Sequence, residues 1–306
     1  MKELHVFSPA TVSNIGPGFD LMGFALNEPG DILRIRKNGK HEIRLYNHTE
    51  FDLPEDPEEN VAGVAVKALL KDLENFEGFD IIFEQKIKPG SGIGSSAASC
   101  SAAVFGVNEI LGKPFAKNKL IEYALEGEYL ASKSIHADNI APAMLGGIVL
   151  IRQYNPIDII NLSAPAELWC AIAHPDIVIK TFESRLLIPE KIPLPDALSQ
   201  CGNIAALVTG IITSNYDLIF RSIEDRIAEP VRKKSIPVYD SLKGILKEEG
   251  ISAFNISGSG PSIFALTNAE EMADKAADLM KTSFIEKGIS CKSYTSKISE
   301  LGTRIL

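Results

Sequence analysis

Lys88-Pro89-Gly90-Ser91-Gly92-Ile93-Gly94-Ser95-Ser96-Ala97-Ala98-Ser99 stands between a β-branched, aromatic run at Phe79–Gln85 and a long stretch of small residues. The first run reads as a strand and the second as a helix over Ser95–Leu111. A strand, a turn with three glycines and a helix, in that order, make a candidate cradle for phosphate. Glycine lets the backbone approach a ligand without a Cβ in the way, and the unpaired N–H groups of a first helical turn favour an anion. Ser95 and Ser96 would add hydroxyls. The spacing matches neither the GxGxxG dinucleotide fingerprint nor a P-loop, which ends in GK[ST]. A glycine-serine turn that only caps a helix would read the same way, so the segment needs support from elsewhere in the chain.

Outward from the loop, glycine, proline and β-branched residues divide the chain into short strands and amphipathic helices, with no repeat or low-complexity tract. Strands are expected near Leu4–Phe7, Asp31–Arg36 and Glu42–Tyr46, helices near Glu59–Leu73 and Lys117–Ser132, and a hairpin around Gly147–Ile160. The second half predicts strands at Leu168–Ala173, Ser252–Ile256, Ser262–Leu266 and Ser290–Thr295, with helices near Asp196–Thr213, Val238–Glu249 and Ala269–Lys287. Strands and helices mixed in this way imply an α+β architecture of two sandwiched layers, with a boundary near 155–165 and hence two domains, 1–160 and 161–306.

The chain has 306 residues, 45% of them hydrophobic, enough for a sizeable core. No run approaches the roughly 18 apolar residues of a membrane span, and the opening Met1-Lys2-Glu3-Leu4-His5 lacks a signal-peptide core. The cytosol is the expected location and no membrane partner is expected. Cys100, Cys170, Cys201 and Cys291 show no CxxC or zinc-like spacing and read as small core residues. A formal net charge of −9 and a pI near 5.2 argue against a nucleic-acid partner. Anionic ligands must then be held locally, by particular arginines, backbone N–H groups and a metal.

Glu128 is the single residue whose chemistry periodicity exposes. On the helix Lys117–Ser132 the apolar stripe Ile121, Ala124, Leu125 continues to position 128, which puts a carboxylate on the inward face. Glu126 lies about 200° away, with Glu122 and Lys119 on the wet face. A buried carboxylate is paired or holds a metal, so Glu128 is either a Mg²⁺ ligand or half of a structural ion pair.

Three segments together resemble the signature set of the GHMP small-molecule kinases: Ser8-Pro9-Ala10-Thr11-Val12-Ser13-Asn14-Ile15-Gly16-Pro17-Gly18-Phe19-Asp20, the Pro89–Ser99 loop, and Asn255-Ile256-Ser257-Gly258-Ser259-Gly260-Pro261-Ser262. They stand in the family's order. Ile93 departs from the leucine common before the last glycine and should fill the same apolar position. The resemblance implies an N-terminal domain like ribosomal protein S5 domain 2 and a ferredoxin-like C-terminal domain. It also implies ATP as phosphoryl donor, with the Pro89–Ser99 loop and Asn60 in the nucleotide pocket, and Mg²⁺ bound by Ser96 and Glu128.

His136-Ala137-Asp138-Asn139-Ile140-Ala141-Pro142, Lys180-Thr181-Phe182-Glu183-Ser184-Arg185 and Glu229-Pro230-Val231-Arg232 resemble the branch of the family that phosphorylates L-homoserine in threonine biosynthesis. In that pattern Asn14, Asp20, His136, Asp138 and Asn139 line the acceptor site, Arg185 and Arg232 clamp the substrate carboxylate, and Thr181 assists. Homodimers are common there. Each residue also has a plainer reading: turn chemistry for Asn14 and Asp20, a helix N-cap for Asn60 and the His136–Asn139 string, surface charge for the arginines. Sister kinases place an aspartate where Asn139 stands. An amide cannot accept a proton at neutral pH, so the implied mechanism is positioning and electrostatic stabilisation. A different alcohol acceptor, or a ligand-binding homologue without turnover, would be the competing readings.

Overall fold

The structure is a computed structural model that describes residues 3–73 and 77–306; Met1 and Lys2 of the opening stretch lie outside them. Strand β1 (Glu3–Ser13) runs antiparallel to β2 (Met22–Lys37). Strands β3 (Ile43–Asn47) and β4 (Phe79–Gln85) are parallel, which requires a crossover connection, and α1 (Val61–Lys71) makes the crossing. Helices α2 (Ser95–Ile110), α3 (Lys117–Ser132) and α4 (Ala137–Leu145) follow, then the hairpin β5 (Ile148–Tyr154) and β6 (Ile157–Leu162).

β2 is long enough to serve two neighbours along one edge. Its start pairs with β5 and its far half with β4. The sheet order is β11-β1-β2-β4-β3, where β11 (Arg304–Ile305) returns from the C-terminus to β1. Val6, Leu33, Ile35, Phe79 and Ile81 of this sheet pack against Leu69, Val107, Leu120 and Ile121 of the helices. α2 is buried along almost its whole length, which its alanines, serines and Gly106 permit: a Cβ at Gly106 would stand 2.4 Å from Ile35 Cδ1.

The second sheet is wholly antiparallel. It orders β10 (Cys291–Lys297), β7 (Trp169–Pro175), β9 (Ile263–Thr267) and β8 (Ala253–Ile256). Between β7 and β8 come α5 (Thr181–Leu186), α6 (Leu194–Ile212), α7 (Tyr216–Arg221), α8 (Glu229–Arg232) and α9 (Tyr239–Glu248). A hairpin joins β8 to β9, and α10 (Glu270–Ile285) leads to β10. Counted along the chain the order is 4-1-3-2, the split βαβ arrangement of ferredoxin-like domains.

Both faces of this sheet are covered, and strand alternation divides the work. Cys170, Ile172, Phe264 and Leu266 face Ala10, Val12, Phe24 and Ile148 of the first half; Ala171, Ala173, Ile263 and Ala265 face α9 and α10. Phe24 meets Phe264 edge-on at 6.3 Å between centroids.

Several sequence expectations shift. The helix expected from Glu59 starts at Val61, because Asn60 caps it: its side chain accepts from Ala62 N at 2.9 Å and donates to Pro54 O at 2.8 Å. The strands expected at Leu4–Phe7 and Asp31–Arg36 are much longer, since both partners continue to Ser13 and Met22 through a bulge between Pro9 and Thr11. Cys100, Cys170 and Cys291 are buried, but Cys201 is exposed, because position 201 falls on the outer face of α6.

Candidate active site

The three segments with marked composition meet at one place. The β1–β2 turn, the β4–α2 loop and the β8–β9 turn are tied together by Ser257 Oγ donating to Gly92 O at 2.7 Å, Ser262 Oγ to Ser91 O at 2.5 Å, Thr11 N to Ile93 O at 3.1 Å and Gly258 N to Ser13 O at 3.2 Å. Close approach explains two glycines. A Cβ on Gly92 would lie 2.6 Å from Gly260 O, and one on Gly94 would lie 2.0 Å from Thr11 Oγ1, with φ of +79° and +69°. Gly94 is the left-handed residue from which α2 starts.

Beside this junction lies a cavity of about 520 Å³. Asn14, Asp20, Asn60, Glu128, His136, Asp138, Asn139, Thr181, Arg185 and Arg232 all line it, as do Pro89, Gly90, Ser91, Gly92, Gly94, Ser95, Ser96 and Ser99. Ile93, Ala97 and Ala98 do not. They point into the core that carries the loop, Ile93 in the apolar position expected of it.

Glu128 is buried on the inward face of α3, and Glu122 and Glu126 are exposed. It accepts a hydrogen bond from Ser96 Oγ at 2.7 Å. Among the described residues no side-chain cation pairs with it, and burial pushes its pKa up from 4.5 to about 7 against the Ser96 bond and the field of Lys86. An uncompensated carboxylate beside a hydroxyl, both hard oxygen donors, suits Mg²⁺ with phosphate oxygens completing the shell. In the ligand-free protein this carboxylate's raised pKa means stability that is full below its unfolded value and lost as pH rises toward about 7. Glu128→Gln removes that loss, at ~1.4 kcal/mol per pH unit in the window. The melting temperature of the variant should therefore gain on wild type between pH 5 and pH 8 in metal-free buffer; a constant difference would show that Glu128 does not titrate there.

Asp138 repeats the pattern. Burial, with Asp20 and Glu128 nearby, raises its pKa to about 7, opposed by a Ser13 hydrogen bond and by Arg232. The helix N-cap reading of this string is corrected: His136 occupies the cap position without a side-chain cap bond. Asn139 is held instead by Thr11, whose hydroxyl donates to Oδ1 at 2.7 Å, and by its own Nδ2 donating to Ser13 Oγ at 3.0 Å. Burial lowers the His136 pKa; Ser134 Oγ is 2.5 Å from Nε2, and Nδ1 lies 3.4 Å from Asp20 Oδ1.

Asn14 and Asp20 keep their turn roles as well, with φ of +73° and +59° and with Asn14 Oδ1 accepting from Asp20 N at 3.1 Å. Arg185 Nη1 bonds Asp20 Oδ2 at 2.5 Å, and Arg232 Nη1 donates to Gly258 O at 2.8 Å while its buried Nε has no partner. Both guanidinium carbons stand 5.2 Å from the centroid of the Phe19 ring. Thr181 Oγ1 reaches Ser259 Oγ at 3.5 Å.

Phe19, Thr11, Ser13 and Lys86 also shape this site and were not singled out from sequence. The first three lie within the Ser8–Asp20 segment, but only a fold shows that Phe19 meets two arginines from distant helices.

Fold and site define a phosphate-handling enzyme in which a glycine loop, a hydroxyl–carboxylate pair and a doubly basic, doubly acidic face share one cavity. The model for GHMP kinase N-terminal domains matches residues 60–147 and that for GHMP kinase C-terminal domains residues 203–285. A homoserine kinase from Chlorobium phaeobacteroides is 38% identical over the full length of both chains, and one from Methanococcus vannielii is 35% identical over 90% of this chain and 91% of its own. The crystal structure of a homoserine kinase from Cytophaga hutchinsonii superposes with a TM-score of 0.95 at 39% identity, covering 100% of this chain and 98% of that one. The chain belongs to the GHMP kinase family, among its homoserine kinases, and has that family's two-domain α+β fold.

Proposed function

We propose that the protein transfers the γ-phosphoryl group of Mg·ATP to the side-chain hydroxyl of L-homoserine, giving O-phospho-L-homoserine in threonine biosynthesis. The observation that carries this reading is the charge layout of this cavity: a phosphate cradle with Ser96 and Glu128 at one face, and Asp20, Asp138, Arg185 and Arg232 at a second. That second face suits a zwitterion. Arginine forks match a carboxylate, and the buried Asp138, which forms no direct ion pair among the described residues, suits an ammonium. Residues 1–160 would carry the nucleotide and 161–306 would close over it.

The chain's own residues act by placement. The N–H groups of the loop and the first turn of α2 hold phosphate oxygens, and Ser96 with Glu128 would hold Mg²⁺, which offsets phosphate charge when bound. Asn60 borders the nucleotide end, and Asn14, His136 and Thr181 border the acceptor. Asn139, fixed from both sides by Thr11 and Ser13, orients the acceptor hydroxyl without taking its proton, which leaves to a phosphoryl oxygen or water. We place the protein in the cytoplasm, as befits a biosynthetic kinase; no helix among the described residues is long and apolar enough to cross a membrane.

ADP release from Mg·ATP should be fastest with homoserine in a panel that also holds threonine, shikimate and mevalonate. Faster turnover of an alcohol that is not an amino acid would overturn the acceptor assignment.

A further inference from the structure

Lys86 lines the phosphate side of the cavity, where a lysine is ordinarily read as a phosphate ligand. Its hydrogen bonds argue otherwise. The ammonium sits 2.7 Å from Ser95 O, 2.5 Å from Ser95 Oγ and 3.0 Å from Asp31 Oδ2. Two of the ammonium's three protons go to Ser95, and its charge is paired with the Asp31 carboxylate. Both side chains are almost wholly removed from solvent, 4% exposed for Lys86 and 0% for Asp31. A phosphate at Lys86 would have to compete with the buried Asp31 carboxylate for its charge.

We infer that Lys86 and Asp31 form a positioning pair that fixes the two ends of the glycine loop, and that Lys86 does not itself bind phosphate. Asp31 Oδ1 accepts from Ile87 N at 2.8 Å, where the chain enters the loop, and Oδ2 accepts from Ser99 Oγ at 2.7 Å, one turn into α2. Ser95 Oγ in turn donates to Ile87 O at 2.8 Å. Entry and exit are thus joined through one buried charge pair. Between them Gly90, Gly92 and Gly94 all have positive φ, so the loop has little intrinsic preference for its bound shape. The brace holds the first-turn N–H groups and Ser96 in register before a nucleotide arrives, which lowers the ordering cost of binding.

The inference rests on the phosphotransfer reading of this cavity and is tested without the acceptor. Binding of ADP and of a non-hydrolysable ATP analogue is measured by calorimetry for wild type, for the double variant Lys86→Met with Asp31→Asn, which leaves no unpaired buried charge, and for Ser95→Ala. A loop that has lost its brace should bind both nucleotides about 10- to 100-fold more weakly with their affinity ratio unchanged, and Ser95→Ala should follow by roughly 3- to 10-fold. The KM for homoserine should change less than the KM for ATP. Selective loss of the ATP analogue over ADP would mean that Lys86 touches the terminal phosphate and would overturn the inference. Unchanged affinity for both in folded protein would reduce the pair to a structural one and overturn it equally. If wild type binds both nucleotides but does not turn over homoserine, the acceptor assignment fails and this inference stands.

Discussion

Glu128→Gln is expected to lower kcat by on the order of 10²-fold or more in a protein that stays folded. The amide keeps the size of the side chain and can still accept the Ser96 hydroxyl, so packing on the inward face of α3 survives. What it removes is the negative charge that Glu128 would offer a divalent cation beside Ser96 and the glycine loop. Because that charge is uncompensated in the ligand-free protein, its removal should leave the fold as stable or more so. Activity and stability then move in opposite directions. Steady-state kinetics with a thermal melt on the same preparation separates the two readings that the sequence left open. Near-normal specific activity in a destabilised protein would make Glu128 a structural partner and not a metal ligand.

Arg185→Ala and Arg232→Ala should each cost about 1.5–3 kcal/mol of acceptor recognition, roughly 10- to 150-fold in kcat/KM for homoserine, with ATP binding almost untouched. The two arginines differ in setting. Arg185 is part-exposed and pinned to Asp20, whereas Arg232 is buried, with an unpartnered Nε and a lowered pKa caused first by desolvation. Two guanidinium groups against one Phe19 ring leave little freedom to reposition, so lysine at either place should rescue only in part. The decisive comparison uses 3-amino-1-propanol, which lacks the carboxylate. Wild type should handle it poorly, and each variant should discriminate much less between it and homoserine. A preference that survives in both variants would show that these arginines hold something else.

Local patterns carried the element boundaries well where a single helix or strand face decides them. The bounds of α3 and β4 could be read directly, because the apolar stripe of one and the β-branched run of the other are properties of neighbours in sequence. Short elements escaped. α5, α7 and α8 are four to six residues long, too short for periodicity to show, and their shape is set by what they pack on.

The sequence by itself determined that a carboxylate at 128 must face inward, that a glycine loop opens a helix of small residues, and that three marked segments resemble those of one family. The first two follow from periodicity and composition, which act over a few residues; the third is a resemblance between whole segments. Only the tertiary structure decided that Asn139 is clamped by Thr11 and Ser13, that Phe19 meets both Arg185 and Arg232, and that Asp31 and Lys86 brace the loop at both ends. Each such contact joins side chains from different elements, in most cases tens to hundreds of residues apart. Their meeting depends on strand order and helix placement, and no spacing along the chain encodes a distance across it.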